Sequence, residues 1–214
     1  MRELPLWKRQ PRIAIRGRLR TIPALKRGGD DQGPGMTRDS IVRTDRLELI
    51  PWNIELIDAF LTANRTQGEA ALGVAFPEPF QPPPETDDVL DFFRAAVASD
   101  TSGGAFLPRL IVRTVDRIAV GSIGLGLPDE GGISTYGYSV YPQFEGLGFA
   151  SEAAAALVEW SLRLPALTAI RATISVGHTA SELVSSRAGL TMTGEQIEDE
   201  KEGTLNVWER RNET

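Results

Sequence analysis

The chain predicts a mixed α/β (α+β) fold with a largely antiparallel sheet, and three observations carry that prediction. Strand-like apolar stretches come in succession, at 110–113, 118–125 and 133–141, instead of alternating one by one with helices. Amphipathic helical segments stand around them, at about 54–65, 85–98 and 179–188. Finally, residues 138–160, YSVYPQFEGLGFASEAAAALVEW, pass from a strand through a Gly-x-Gly turn into an alanine-rich helix. From Ile41 the tally is β-αα-βββ-α-β-α-ββ, which lacks the repeating βαβ units of a doubly wound nucleotide fold.

Composition narrows the classes of function. The 214 residues are 41% apolar and 24% charged, ordinary for a soluble domain that buries a core. There is no cysteine, which excludes disulfides, thiolate metal sites and a cysteine nucleophile. The single histidine, His178, excludes a multi-histidine metal site and argues against a Ser-His-Asp triad. No apolar run approaches the roughly 18 residues that span a bilayer. Residues 1–35 hold nine Lys/Arg and three Asp/Glu, net +6, leaving 14 basic and 26 acidic side chains and a net charge of −12 for the rest. Such an acidic body disfavours nonspecific nucleic-acid binding and suits a cationic or amine substrate.

Residues 1–35 lack sustained periodicity and end in a Gly/Asp/Pro-rich spacer, so they predict a poorly ordered basic extension ahead of a domain over 36–214. A basic arm touching RNA, the ribosome or a membrane surface is the competing reading. A secretory signal fits badly, because no continuous apolar core of about 7–15 residues is present. The expected location is cytoplasmic.

Within the domain, 41–50 reads as one strand with Leu47 and Leu49 in alternation, closed by Pro51. Asn53 is a natural N-cap for a helix carrying Leu56, Ile57, Phe60 and Leu61 on one side. Residues 66–84 turn Gly- and Pro-rich and predict a loop over a binding cleft. Val89, Leu90, Phe92, Phe93 and Val97 give the next helix its apolar face. Asp116 sits in the turn of a hairpin formed by 110–113 and 118–125. Gly121, Gly124 and Gly126 lack the following helix, lysine and Ser/Thr of a phosphate loop, so they read as bulges or close packing. After the glycine turn, Ala153, Ala156, Leu157, Trp160 and Leu164 form a helical stripe that Pro165 ends. The stretch 167–175 alternates as a strand, Gly189 caps the helix over 179–188, and strands at 190–197 and 204–208 flank a charged hairpin tip. Trp52, Phe76, Phe80 and Trp160 read as core or loop packing, and Asp129-Glu130 as an acidic turn tip or a cation attractant.

The glycine turn carries the chemistry. Glycines let a backbone approach a ligand closely, and the first N–H groups of a helix have no partner within it, so a strand, Gly-x-Gly and helix N-terminus together make an anion site suited to a pyrophosphate.

Three motifs in order resemble the GNAT acyltransferase superfamily, in the branch of ribosomal-protein N-terminal (alanine/serine) acetyltransferases. They are Thr44-Asp45-Arg46-Leu47-Glu48-Leu49, then Gly137-Tyr138 leading to Gly146-Leu147-Gly148-Phe149-Ala150-Ser151-Glu152-Ala153, then His178-Thr179-Ala180-Ser181 leading to Gly189-Leu190. The resemblance covers roughly residues 41–210. It implies a six- to seven-stranded, mostly antiparallel sheet with helices on both faces, and acetyl-CoA as the acyl donor. The pyrophosphate loop would fall on Glu145, Gly146, Leu147, Gly148, Phe149, Ala150 and Ser151. Main-chain groups of Tyr138, Ser139 and Val140 would hold the pantetheine arm, in a slot between 133–141 and 167–175 where two parallel strands splay. Members often dimerise, so a homodimer is one expected assembly.

The chain departs from the family pattern at four positions. Glu145 stands where Gln or Arg is usual, His178 where an asparagine touches pantetheine, Ser185 where a tyrosine often acts as general acid, and Thr135 where this branch often has glutamate. His178 is then a hydrogen-bonding substitute or a base. Ser181 and Ser185 are the candidates to donate to the leaving thiolate, with a helix cap or surface serine as the plain reading of each. Two functions stand open: an acetyl-CoA-dependent N-acetyltransferase acting on a peptide or protein N-terminus or a small amine, or a non-catalytic module of the same fold that binds a ligand or partner.

Overall fold

The stretch that reads as one strand at the start of the domain is two. In the computed structural model, which describes residues 40–199 and 202–212, β1 (Val42–Arg43) and β2 (Leu47–Pro51) pair antiparallel across a turn at 44–46. The Thr44 hydroxyl makes the turn by accepting from Leu47 N at 2.9 Å, a local bond that competes with a continuous strand. The extension expected over 1–35 lies outside the described residues.

The sheet has eight strands in the order β1-β2-β3-β4-β5-β6-β8-β7, the eighth arising from that split. β3 (Arg109–Arg113), β4 (Ile118–Leu125) and β5 (Ile133–Val140) form an antiparallel meander on β2. β6 (Ala169–Ser175) runs parallel to β5, and the β7–β8 hairpin (Thr191–Asp199, Gly203–Arg211) adds to β6 through β8.

Helices cover both faces. On one face α1 (Ile54–Leu61) and α3 (Leu90–Ala98) enclose Trp52, whose ring lies 5.5 Å from both Phe60 and Phe93. Residues 66–84 are not a single loop, because Arg65–Leu72 form the helix α2. Asn64 caps its start by accepting from Gln67 N at 3.1 Å, and Gly73 ends it in the left-handed region at φ 62°. The remaining loop wraps Phe76 and Phe80 onto Phe60. The other face carries α4 (Phe149–Ser161) and α5 (Thr179–Arg187). α4 is rolled from its expected stripe. Ala154 and Val158 are buried with Ala153 and Leu157, while Ala156, Trp160 and Leu164 are only half buried. Arg109, on β3, is fully buried beneath the half-buried Trp160. Its guanidinium lies 4.7 Å from the Trp160 ring and donates to the carbonyls of Gly104, Ala105 and Leu107. Desolvation lowers its pKa to about 10.

Two contacts bear on the position of α4 and β5. Gly121 on β4 has no room for a side chain, since a Cβ there would collide with the carbonyl oxygen of Ser139 on β5. Glu152, in the first turn of α4, is gripped by the β1–β2 turn. Arg46 Nε and Nη2 reach its Oε2 at 2.7 and 2.6 Å, and Oε1 accepts from Arg46 N at 3.1 Å and from the Thr44 hydroxyl at 2.5 Å. Partial burial pushes the Glu152 carboxyl up, but these donors outweigh it and hold its pKa below the ordinary value of 4.5.

Gly121→Ala is expected to destabilise the fold by on the order of 2 kcal/mol, read as a lower denaturant midpoint at unchanged slope. Glu152→Gln should cost about 1–2 kcal/mol at neutral pH. Because the folded pKa is depressed, the Glu152 contribution is complete above the unfolded value near 4.5 and is lost as pH falls through the lower folded value. Denaturation curves should therefore show the wild type and Glu152→Gln converging in acid, and a gap that persists well below that range would contradict the assignment.

Candidate functional site

β5 and β6 pair over three residues only, from Ile133↔Ala169 to Thr135↔Arg171. Both strands then continue, β5 on β4 to Val140 and β6 on β8 to Ser175, with an open wedge between them. Pairing alternation tells which main-chain groups face the wedge. Gly126 N donates to Thr135 O at 2.7 Å and Tyr141 N donates to Val120 O at 3.0 Å, so the odd-numbered residues of this stretch turn their amides to β4. Tyr136, Tyr138 and Val140 turn theirs the other way, and at Tyr138 and Val140 no strand answers them. Ser139 therefore spends its backbone on β4, and its buried hydroxyl has no partner among the described residues.

The wedge leads to the glycine turn. Pro142 cannot continue the ladder, and a short 3-10 turn over Pro142–Phe144 follows. The Tyr141 hydroxyl donates to Gln81 O at 2.7 Å, tying this strand end to the loop below α2. Gly146 and Gly148 take φ of 72° and 80°, where a side chain is strained. A Cβ at Gly146 would meet nothing within 4 Å, and one at Gly148 only the tip of Arg46 at 3.5 Å, so the turn is an open cradle. Gly148 offers α4 no side-chain cap. The first hydrogen bond into the helix is from Glu152 N to Gly148 O, 3.1 Å, leaving the N–H groups of Phe149, Ala150 and Ser151 for an external acceptor. Leu147 is half exposed at the tip of the turn. Glu145 is exposed and meets no cation among the described residues.

Cations reach the cradle from elsewhere in the chain. Arg46 donates to Leu147 O at 3.3 Å and lies 4.9 Å from the Phe149 ring, though its charge is matched by Glu152. Arg187, at the end of α5, is exposed and 3.5 Å from the Ser151 hydroxyl. Arg187 does not stand out in the sequence, and Arg46, although part of the first motif, meets the turn only through the tertiary fold.

α5 closes the wedge on one face. His178 is the N-cap of α5, its Nδ1 accepting from Ser181 N at 3.3 Å, and its ring is exposed. The Ser181 hydroxyl pairs with the Tyr138 phenol at 3.1 Å and the Ser185 hydroxyl with the Tyr136 phenol at 2.7 Å. The two tyrosine rings stack 6.5 Å apart. Burial raises both phenol pKa values against the opposing serine bonds, that of Tyr136 to about 12, so both stay protonated through the ordinary pH range. Ser185, only 1% exposed, is thus neither a helix cap nor a surface serine. Tyr136 is missing from the sequence reading because strand alternation gives no sign of its partner, 49 residues away.

On the opposite face, Thr135 and Arg171 stand side by side where the wedge begins. The carboxylates of Glu209 and Glu195 are matched there by Arg171 at 2.5 and 3.6 Å, and Arg211 adds a contact to Glu209 at 2.7 Å. Asp129 serves its own turn, accepting from Gly131 N and Ile133 N. A wide cleft between α4 and the β7–β8 hairpin holds Arg163 and Arg210, which share the single carboxylate of Glu159.

The fold that holds this arrangement has known counterparts. Residues 46–191 match the family model described as the acetyltransferase (GNAT) domain. A search of curated proteins returns no significant match. Among solved structures, a GNAT-family acetyltransferase from Bacillus anthracis is similar at 18% identity and a TM-score of 0.56, over 81% of this chain and 99% of that one. The ribosomal L7/L12 α-N-protein acetyltransferase RimL, in complex with coenzyme A, gives 16%, 0.57, 80% and 97%. The microcin C7 self-immunity acetyltransferase MccE, in complex with acetyl-CoA and AMP, gives 16%, 0.59, 83% and 98%. These likenesses establish the fold, and the family model, which spans more than half of the sequence, establishes the kinship: the chain belongs to the GNAT acetyltransferase family.

Proposed function

We propose that this protein transfers an acetyl group from acetyl-CoA to a primary amine, by direct attack of the neutral amine on the thioester. The observation that carries the reading is the continuity of unpaired donors, from the main-chain groups of Tyr138 and Val140 along the wedge to the N–H groups of Phe149, Ala150 and Ser151 at the head of α4. Their order suits an amide-bearing arm that ends in a pyrophosphate, and the open cradle at Gly146 and Gly148 suits the phosphates themselves. Acetyl-CoA supplies the activated carbonyl. The chain supplies position, which is worth about 7–11 kcal/mol in ideal cases, and N–H groups that can polarise the carbonyl.

Glu145 opposes phosphate binding by its charge. Its exposure leaves it screened by water, and Arg187 adds a cation on the α5 side of the cradle. His178 sits at the mouth of the wedge as a helix cap, a binding position better suited to hydrogen bonding than to taking a proton from the acceptor.

The acceptor we favour is an α-amine, of a peptide or protein N-terminus or of a small molecule. The support is the pairing of Glu209 and Glu195 with arginines and of Asp129 with its own turn, which leaves these carboxylates poorly placed as bases. An α-amine of pKa near 8 needs little help to be neutral, whereas a lysine near 10.4 needs much more.

Thermal unfolding with and without acetyl-CoA tests the first half. At about 100 times its Kd the ligand should stabilise the protein by roughly 2.7 kcal/mol, and Gly148→Glu, which fills the cradle and adds charge, should abolish the shift while the unliganded protein still unfolds cooperatively. No shift at millimolar acetyl-CoA would refute the assignment. An amine panel with free-thiol detection tests the second half. Peptides with free α-amines should release coenzyme A faster than α-blocked peptides bearing lysine. Binding without turnover across the panel would favour the non-catalytic module.

A further inference from the structure

The protons of the Tyr136–Ser185 pair do not all have a home. Tyr136 is 4% exposed and Ser185 1% exposed. Their two hydroxyls hold two donor protons and share one hydrogen bond of 2.7 Å. Neither oxygen has a second partner among the described residues, so one buried O–H is left over, and buried donors are nearly always answered. The nearby Tyr138 phenol does not answer it, being engaged with Ser181.

The leftover donor is at a particular place. Thr135↔Arg171 is the last β5–β6 pair and Tyr136 the next residue, so its ring stands at the apex where the strands part. The bond from Tyr136 on β5 to Ser185 on α5, the helix that follows β6, bridges the wedge on that face. An arm laid along Val140 and Tyr138 from the glycine turn ends at this apex, which is where its sulfur belongs.

We propose that Ser185 donates to the phenol oxygen of Tyr136, and that Tyr136 donates its own O–H to the coenzyme A sulfur as the thioester breaks. The inference rests on the acetyl-CoA reading above. In the step, the amine nitrogen bonds to the acetyl carbon, and the carbon–sulfur bond breaks with its electron pair going to sulfur. The amine proton leaves to solvent. Tyr136 keeps its proton throughout, because a phenol raised to about 12 is a weaker acid than a thiol, whose ordinary value for cysteine is about 8.5. It acts as a hydrogen-bond donor to the thiolate and not as a proton source, and coenzyme A takes its proton from water after leaving. Tyr136 is then a catalytic residue and Ser185 a positioning residue.

The test follows the thiol of bound coenzyme A by the ultraviolet absorbance of its thiolate, with affinity measured by calorimetry at a pH where the thiol is neutral. In the wild type the bound thiol should titrate at least about one pH unit lower than in Tyr136→Phe, as expected for one hydrogen bond to a charged group. Ser185→Ala should lie between them and Ser185→Thr close to the wild type, with the Kd of coenzyme A within threefold throughout. With an amine acceptor, Tyr136→Phe should lower kcat by on the order of 100-fold at nearly constant KM for acetyl-CoA. Equal thiol titration in wild type and Tyr136→Phe, both binding coenzyme A, would overturn the proposal alone. Loss of binding in Tyr136→Phe would overturn it too, by making the residue structural. A wild type that does not bind coenzyme A would instead overturn the acetyl-CoA reading itself.

Discussion

Glu152 ties the site to the fold. The donors of the cradle are backbone groups, so their position is that of the first turn of α4, and that turn is held at its side by the fork of Arg46, the Arg46 amide and the Thr44 hydroxyl. A carboxylate in the first turn of a helix is favourable by itself. Here the same carboxylate also anchors the β1–β2 turn, so the N-terminal edge of the sheet and the anion site at its centre are one construction. The Arg46 bond to Leu147 O extends the grip into the cradle.

The wedge follows from a competition between pairing partners. β6 is satisfied by β8 over its whole length, seven residue pairs from Ala169↔Arg211 to Ser175↔Leu205. β5 is satisfied by β4 through Val140, and the missing side chain of Gly121 allows that close approach. Sheet twist then carries the two strands apart once their three shared pairs are made. Tyr136 and Tyr138, bonded across to α5, line one face of the opening with hydroxyl groups. The wedge is open because each strand has a better partner on its other side.

Much of this is legible in the sequence, and the parts that are not have physical reasons. The succession of elements and the glycine turn heading α4 follow from alternation, Pro142 and the two glycines, whereas the parallel pair at 133–141 and 167–175 comes from the family resemblance alone. The β1–β2 split escapes because the apolar pair Ile41-Val42 and the alternating Leu47 and Leu49 read as one stretch, while the turn between them is closed by bonds between Thr44 and Leu47, one to the Thr44 hydroxyl and one from its backbone N–H. α2 escapes because Gly68 dilutes its pattern, although Asn64 and Gly73 mark both of its ends; a Cβ at Gly68 would strike the Phe80 ring, which is why glycine stands there. The pairings of Ser181 and Ser185 are invisible locally, since the spacing of a helix shows which face is buried and not which phenol waits beneath it. Arg46 shows the same limit from the other side: its motif is readable, but its contact with Glu152, 106 residues away, is not.

The central claim is that the wedge and the head of α4 together form the coenzyme A site. A crystal structure of the protein grown with coenzyme A tests it most directly. The account predicts the pantetheine amides against the main chain of Tyr138 and Val140, the pyrophosphate within hydrogen-bond distance of the N–H groups of Phe149, Ala150 and Ser151, and the sulfur beside Tyr136. Coenzyme A seated in the cleft between α4 and the β7–β8 hairpin, or a wedge closed by continued β5–β6 pairing, would contradict it.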